Sequence, residues 1–346
     1  MPTIDADAHV LETPETWSYL RATERHLSPL VIPVGGGQTN DGAAQHEMWA
    51  VDERLIPKQK NVGADTPSEA REMRDIDRRL RHMDELEIDV QVLYPSFFLR
   101  PYTDRPVLER ALCESYNQWL GDIWKRSNGR LRWVAAPPLM TMDAVRDELA
   151  RAKDNGACGV FMRGIENDRR PSDPYFYPLY EAAAELDLAI CLHSGSGSLT
   201  IQNILRDEFH GFLRVKLLLI GAFHAIVMEE LPKKFPKVRF GFVEAGSLWL
   251  PYVLNDMELR YNRRGKRFPK NILAENNLFV AVQVTDDIPY VLKHAGEDNL
   301  VIGTDYGHSD ASTQIEALRM LRQSGKVDAG AVNKILDANP RRLYNL

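Results

Sequence analysis

Eight short apolar runs recur along the 346 residues, at 3–6, 89–94, 131–136, 159–163, 188–193, 238–244, 278–283 and 300–304. Most are continuous in Val, Ile, Leu or Phe, which is how strands buried on both faces of a parallel sheet read. Between the runs the spacing becomes helical. Met73, Ile76, Leu80, Met83 and Leu86 fall at helical intervals before the second run. Leu108, Leu112, Tyr116, Trp119 and Ile123 do so before the third, with Asn128-Gly129 as the stop signal. Positions 144–155 end at Gly156, and 177–186 lead into the fifth run. Strands alternating with helices eight times predict a distorted (β/α)8 TIM barrel, one α/β domain over residues 1–346. A doubly wound open sheet is the alternative. Against it, the first run continues as Asp-Ala-Asp-Ala-His-Val, without the glycines of a dinucleotide-binding turn.

Two segments exceed plain connections. Residues 12–75, with Pro29, Pro33 and Gly35-Gly36-Gly37, read as an irregular excursion over one barrel end, and 194–237 hold a helix near 211–235. Long loops at the C-terminal ends of barrel strands are where pockets are built. Composition narrows the class without naming a reaction. Hydrophobic residues make up 44% and charged residues 27%, the proportions of a globular chain rather than a disordered or collagen-like one. The formal charge is −6, and no dense Lys/Arg run suggests nucleic acid. No apolar stretch of about 18 residues predicts a membrane span, and the opening residues lack the pattern of a signal peptide. Cys113, Cys158 and Cys191 lie in apolar periodic segments and read as buried, reduced thiols of a cytoplasmic protein.

The candidate chemistry gathers at strand ends. The first run leads into Asp5-Ala6-Asp7-Ala8-His9, with Glu12 close behind; the fifth ends at His193, the sixth at Glu244, and the eighth leads into Asp305-Tyr306-Gly307-His308. In an extended segment residues i and i+2 share a face, so Asp7 and His9 both point into the barrel mouth. Imidazoles and carboxylates converging from four strands have the composition of a Zn, Fe or Mn site. Singly, each has an ordinary reading: His193 as a core histidine, Asp305 as a cap, Asp5 as a structural carboxylate. Glu244 resists one, because a carboxylate directly after Phe240-Gly241-Phe242-Val243 is desolvated and needs a cation. His308 is placed as a proton carrier or as support for a ligand, and Glu12 and Asp5 as further catalytic or supporting groups. Tyr94, Phe97, Phe98, Arg163, Trp249 and Tyr306 are the candidate walls of a substrate pocket, Arg163 as partner for a carboxylate or phosphate. His26, His46, His82, His210 and His294 sit in polar or loop surroundings and require no special role.

The chain resembles the amidohydrolase-related TIM barrels, in the branch of aminocarboxymuconate-semialdehyde decarboxylase and the non-oxidative aryl decarboxylases. The resemblance runs from the opening DADAHVLE through RRLRHMDELEIDVQVLYP at 78–95 and Tyr116-Asn117-Gln118-Trp119 to Leu192-His193. It continues in Glu244-Ala245-Gly246, in Gly303-Thr304-Asp305-Tyr306-Gly307-His308 and in Asn339-Pro340-Arg341-Arg342-Leu343-Tyr344. It implies metal binding at Asp7, His9, His193 and Asp305, and a homodimer. One departure matters. The decarboxylases carry a catalytic histidine in a His-Gly-Gly turn after the sixth strand, where this chain has Glu244-Ala245-Gly246, so His308 or His224 would take over the proton.

Asp7, His9, His193, His224, Glu244 and Asp305 make six ligand-type groups, more than one open metal site needs. The Glu-Ala-Gly pattern is similar to that of TIM-barrel non-heme di-iron monooxygenases acting on organic acids or CoA-linked substrates. That likeness implies two irons, O2-dependent hydroxylation and an external electron donor. The alternative is a hydrolase or non-oxidative decarboxylase of a small carboxylic acid, using Zn or Mn to polarise a carbonyl, with His308 or Glu244 as base. A non-enzymatic barrel is the third reading, opposed by the intact set of strand-end ligands.

Overall fold

In a computed structural model the chain is described at residues 2–34, 46–58, 62–205 and 211–346. Eight parallel strands form the barrel: β1 (Ile4–Val10), β5 (Val90–Pro95), β6 (Leu131–Ala135), β7 (Ala157–Arg163), β8 (Ala189–His193), β9 (Phe240–Val243), β10 (Leu278–Val282) and β11 (Leu300–Ile302). Their order round the sheet is their order in the chain, as right-handed β-helix-β crossovers require. Burial on both faces accounts for their unbroken apolar runs. The helix Pro106–Arg126 buries Leu108, Leu112, Tyr116, Trp119 and Ile123, the positions its periodicity marks. It stops where Asn128 and Gly129 take positive φ.

The excursion after β1 is more regular than its proline and glycine content suggests. It carries short 3-10 turns and an antiparallel sheet of β2 (Leu30–Val34), β3 (His46–Val51) and β4 (Arg54–Pro57). Gly35-Gly36-Gly37 lie outside the described residues. Instead of one helix near 211–235, the segment after β8 has Leu199–Ile204, a π-helical turn Phe212–Lys216, Leu217–Met228 and Leu231–Lys234. Among the described residues no helix is long and apolar enough to cross a membrane.

The barrel closes between β11 and β1 by a few directed bonds rather than a full ladder. Ala8 bridges Tyr306 in parallel, His9 N donates to Tyr306 O at 2.8 Å, and Asp305 N donates to Asp7 O at 2.9 Å. Asp5 completes the seam, accepting from Thr304 N at 2.9 Å, from Thr304 Oγ1 at 2.6 Å and from Gln91 Nε2 at 2.9 Å. The β1–β5 ladder shifts register between Asp5 and Ala8. That extra residue puts Asp5 out of step with Asp7 and His9 and commits it to the seam.

Two predictions follow from this packing. A methyl group on Gly303 would stand 2.3 Å from Asp7 Cβ and 2.8 Å from Asp7 N and O, all at the seam. Gly303→Ala should therefore cost about 1–3 kcal/mol or more of stability in chemical denaturation; an unchanged midpoint would contradict the seam. Elsewhere, burial raises the Glu109 carboxyl from 4.5 to about 8, although Glu109 accepts the Met140 amide at 2.6 Å. The folded chain thus keeps a proton that the unfolded chain releases near its ordinary value. Stability should fall as pH rises from about 4.5 to about 8, and Glu109→Gln should flatten that slope. Identical profiles for the two proteins would refute the assignment.

Candidate metal centre

The residues at the seam and at two further strand ends meet in the barrel mouth. β1 presents Asp7 and His9, β8 ends at His193, and Glu244 and Asp305 follow β9 and β11. His9 Nε2 lies 3.0 Å from His193 Nε2, 3.6 Å from Asp7 Oδ1, 3.5 Å from Asp305 Oδ1 and 3.9 Å from Glu244 Oε2. His193 Nε2 lies 3.5 Å from Asp7 Oδ1 and 2.8 Å from Glu244 Oε2. Glu244 and Asp305 both hold φ near +60°, at 64° and 53°. That region is costly for a residue with a Cβ and persists where the surroundings enforce it. Behind Glu244, Asp286 accepts the Ser247 amide and hydroxyl, each at 2.8 Å, and ties the turn to the end of β10.

These donors fit a cation better than they fit one another. Asp7 Oδ1 and Glu244 Oε2 are buried with no hydrogen bond, the latter despite its 2.8 Å approach to His193. No Lys or Arg among the described residues pairs with Asp7, Glu244 or Asp305. Burial raises Asp7 and pushes Glu244 up to about 7, while it pushes His9 well below the ordinary imidazole range. His193 Nδ1 lies 2.8 Å from Ser194 O and donates to it. Burial lowers the ring, but Glu244 and Asp7 outweigh it and raise His193 well above the ordinary imidazole range, so a cation bound here would replace the Nε2 proton and take its lone pair. Ligands about 2.1 Å from an ion stand roughly 3.0–3.5 Å from one another, and the separations here bracket that range. Two overlapping groups could hold a metal: Asp7, His9, His193 and Glu244, and His9, Glu244, Asp305 and His308. Mixed imidazole and carboxylate donors suit Zn, Mn or Fe.

His308 thus sits among the ligand-type groups, and His224 does not. His224 is half-buried on the helix Leu217–Met228, 3.2 Å from Asp256, which also binds Arg260. That helix is apolar on nearly every side, so its periodicity could not tell which face His224 takes. His308 Nδ1 lies 2.7 Å from Asp305 Oδ1 and its Nε2 lies 2.8 Å from Ser96 Oγ. The Ser96 hydroxyl proton goes to Val10 O at 2.7 Å. Facing a carboxylate on one side and an acceptor oxygen on the other, both ring nitrogens donate, so the ring is an imidazolium. Burial opposes that charge, but Asp305 outweighs it and raises His308 to about 9.

A cavity of about 130 Å³ opens over the cluster, lined among others by Glu244, His308, Glu12 and Ser96. Glu12 accepts the Ser96 and Phe97 amides at 3.1 and 2.9 Å, and burial raises it to about 7. Of the six candidate pocket walls, Phe97 lines this cavity and the others point elsewhere. Arg163 is consumed by Glu166 and by the carbonyls of Phe98 and Arg100. Tyr94 packs 5.2 Å from the His193 ring with its hydroxyl on Tyr344. Phe98 joins the rings of Trp17, Tyr102 and Tyr116. Trp249 donates to Gly246 O and meets the Phe223 ring edge to face. Tyr306 turns its hydroxyl to His82, 2.7 Å away, so that histidine is a buried partner rather than an idle surface group. His26 and His294 are exposed; His210 and the His46 side chain lie outside the described residues.

Arg79, absent from the candidates above, lies under the Tyr306 ring and donates to His9 O at 3.2 and 3.3 Å and to Gln91 Oε1 at 2.7 Å. Its position on the buried phase set by Ile76 and Met83 is the mark it leaves in the sequence. Trp49 and Ile56, likewise absent from the candidates, are brought to the cavity by the antiparallel sheet.

Metal loading should separate these placements. After incubation with Mn2+ and desalting, Asp7→Asn and His193→Ala should lose most bound metal by elemental analysis, whereas His224→Ala should keep it. Loss of metal in His224→Ala would contradict the geometry.

The family model described as amidohydrolase matches residues 4–346. No curated protein matches the chain. Among solved structures, an amidohydrolase from Mycobacterium avium subsp. paratuberculosis K-10 superposes with a TM-score of 0.79 at 17% identity, over 100% of this chain and 98% of that one. The 5-carboxyvanillate decarboxylase of Sphingomonas paucimobilis gives 0.68 at 17%, over 100% and 99%. A manganese-bound 5-carboxyvanillate decarboxylase (a point mutant) from Novosphingobium aromaticivorans gives 0.66 at 19%, over 82% and 86%. With a family match spanning nearly its whole length, the chain belongs to the amidohydrolase family.

Proposed function

We propose that this chain is a metal-dependent hydrolase or non-oxidative decarboxylase of a small organic acid, with Asp7, His9, His193 and Glu244 holding the ion and His308 carrying the proton. The observation that carries this reading is the hydrogen-bond arrangement of His308, an imidazolium lining the same cavity as Glu244. A decarboxylase lacking the histidine after its sixth strand needs another proton source, and of the two candidates His224 is spent on Asp256. Family membership and the manganese-bound decarboxylase of like fold support the same reading. A divalent ion in this cluster would act as a Lewis acid on a substrate oxygen. In a decarboxylation the carbon–carboxylate bond breaks, its electron pair stays on carbon, CO2 leaves, and His308 delivers a proton to that carbon. Asp305 and Ser96 hold the ring in place, and Glu12, gripped by two amides, supports the Ser96–Phe97 turn.

The O2-dependent hydroxylase remains the second reading, because Asp305 stands beside the four-residue group and Glu244 is common to both candidate groups, as a carboxylate shared by two ions would be. It would use two irons and an external electron donor. Under strict anaerobiosis, Mn2+- or Zn2+-loaded protein should consume a member of a panel of aromatic carboxylic acids, followed by loss of substrate and release of CO2. His308→Asn should lower kcat by about 10²–10⁴-fold, the range of general acid–base catalysis, with metal content unchanged. Turnover that demands O2 and two irons per chain would overturn the proposal in favour of the hydroxylase.

A further inference from the structure

The outer wall of the cavity carries two arginines that the centre described above does not use. Arg100 follows the 3-10 turn Phe97–Leu99 beyond β5, and Arg214 lies in the π-helical turn Phe212–Lys216. Both line the cavity that Glu244 and His308 also line. Among the described residues neither guanidinium pairs with a carboxylate; the one bond made by either is Arg214 Nη1 to Leu205 O at 3.1 Å. Of the other charges at this wall, Lys58 is bound to Glu47 at 2.5 Å, Glu12 is held by the Ser96 and Phe97 amides, and the charge of Asp310, which accepts the Ser312 amide at 2.7 Å, acts on Glu244 and His308. The backbone of Arg100 is anchored as well, since its carbonyl accepts from Arg163 Nη1 at 3.2 Å, and Glu166 holds Arg163.

Two like charges facing one partly buried cavity repel each other and are poorly hydrated there; burial and the Arg214 charge together push Arg100 down from its usual range. An anion between them reverses both costs and matches the planar forks of the two side chains. The remaining wall is apolar, with Leu11, Trp49, Ile56, Phe97, Leu99 and Val215. We propose that Arg100 and Arg214 form an anion-binding subsite for a second, unreacting carboxylate or phosphate of the substrate, whose apolar body lies against Trp49, Ile56 and Phe97. The substrate class is then an acid carrying two anionic groups, one at the metal cluster and one at the arginines. This rests on the reading of the cluster as the reacting end.

Calorimetric titration of the intact chain tests it, with isophthalate, benzoate and inorganic phosphate as probes, both Mn2+-loaded and metal-free. The Mn2+-loaded wild type should bind isophthalate at least about tenfold more tightly than benzoate. Arg100→Gln and Arg214→Gln should each lose that preference while Mn2+ stoichiometry and benzoate affinity stay within about twofold. In the metal-free chain the same variants should weaken isophthalate, which keeps this test separate from failure of the metal assignment. Stronger loss for phosphate than for isophthalate would identify the second group as a phosphate. Equal binding of isophthalate and benzoate, binding of no probe, or a preference that survives both substitutions would overturn the proposal.

Discussion

The seam between β11 and β1 is the constraint on which the rest of the molecule depends. An eight-stranded barrel must close, and here closure relies on two backbone bonds around Asp7, His9, Asp305 and Tyr306, together with the Asp5 carboxylate on Thr304 and Gln91. Three of the residues that shut the barrel, Asp7, His9 and Asp305, also send their side chains into its mouth. Arg79 reinforces the arrangement from outside by gripping the His9 carbonyl and stacking under Tyr306. Gly303 allows the two strands to approach this closely. Fold stability and site geometry share the same hydrogen bonds.

That shared construction explains how the protein tolerates a group of carboxylates and imidazoles in a desolvated place. Glu244 and Asp305 hold left-handed backbone angles at their strand ends; Asp286 binds the turn after Glu244, and Thr313 donates to the Asp305 carboxylate. The assembly is incomplete as it stands, because buried carboxylate oxygens of Asp7 and Glu244 have no hydrogen-bonding partner. A buried unpaired charge costs several kcal/mol unless a cation or a proton offsets it. A divalent ion bound there would remove that cost, and in the proposed reaction His308, hydrogen-bonded on both ring nitrogens, would carry the proton.

Much of this was legible in the letters because burial on both faces leaves an unmistakable mark. Most barrel strands fall on continuous apolar runs, and Asp7, His9, His193, Glu244 and Asp305 stand out as polar residues in or just beyond those runs. What escaped depended on direction rather than composition. His224 lies on a helix too uniformly apolar to reveal its outward face. Arg163 looked free because its partner, Glu166, lies in the loop beyond the strand. Trp49 and Ile56 reach the cavity through pairings of β2, β3 and β4 that cross a long excursion, and no local period foretells them.

Whether one divalent ion sits among Asp7, His9, His193 and Glu244 is decided by crystals of the wild-type chain grown with Mn2+ and measured at the manganese absorption edge. An anomalous peak bounded by His9 Nε2, His193 Nε2, Asp7 Oδ1 and Glu244 Oε2 is expected. A peak elsewhere, or a metal-saturated crystal with none in the barrel mouth, would contradict it.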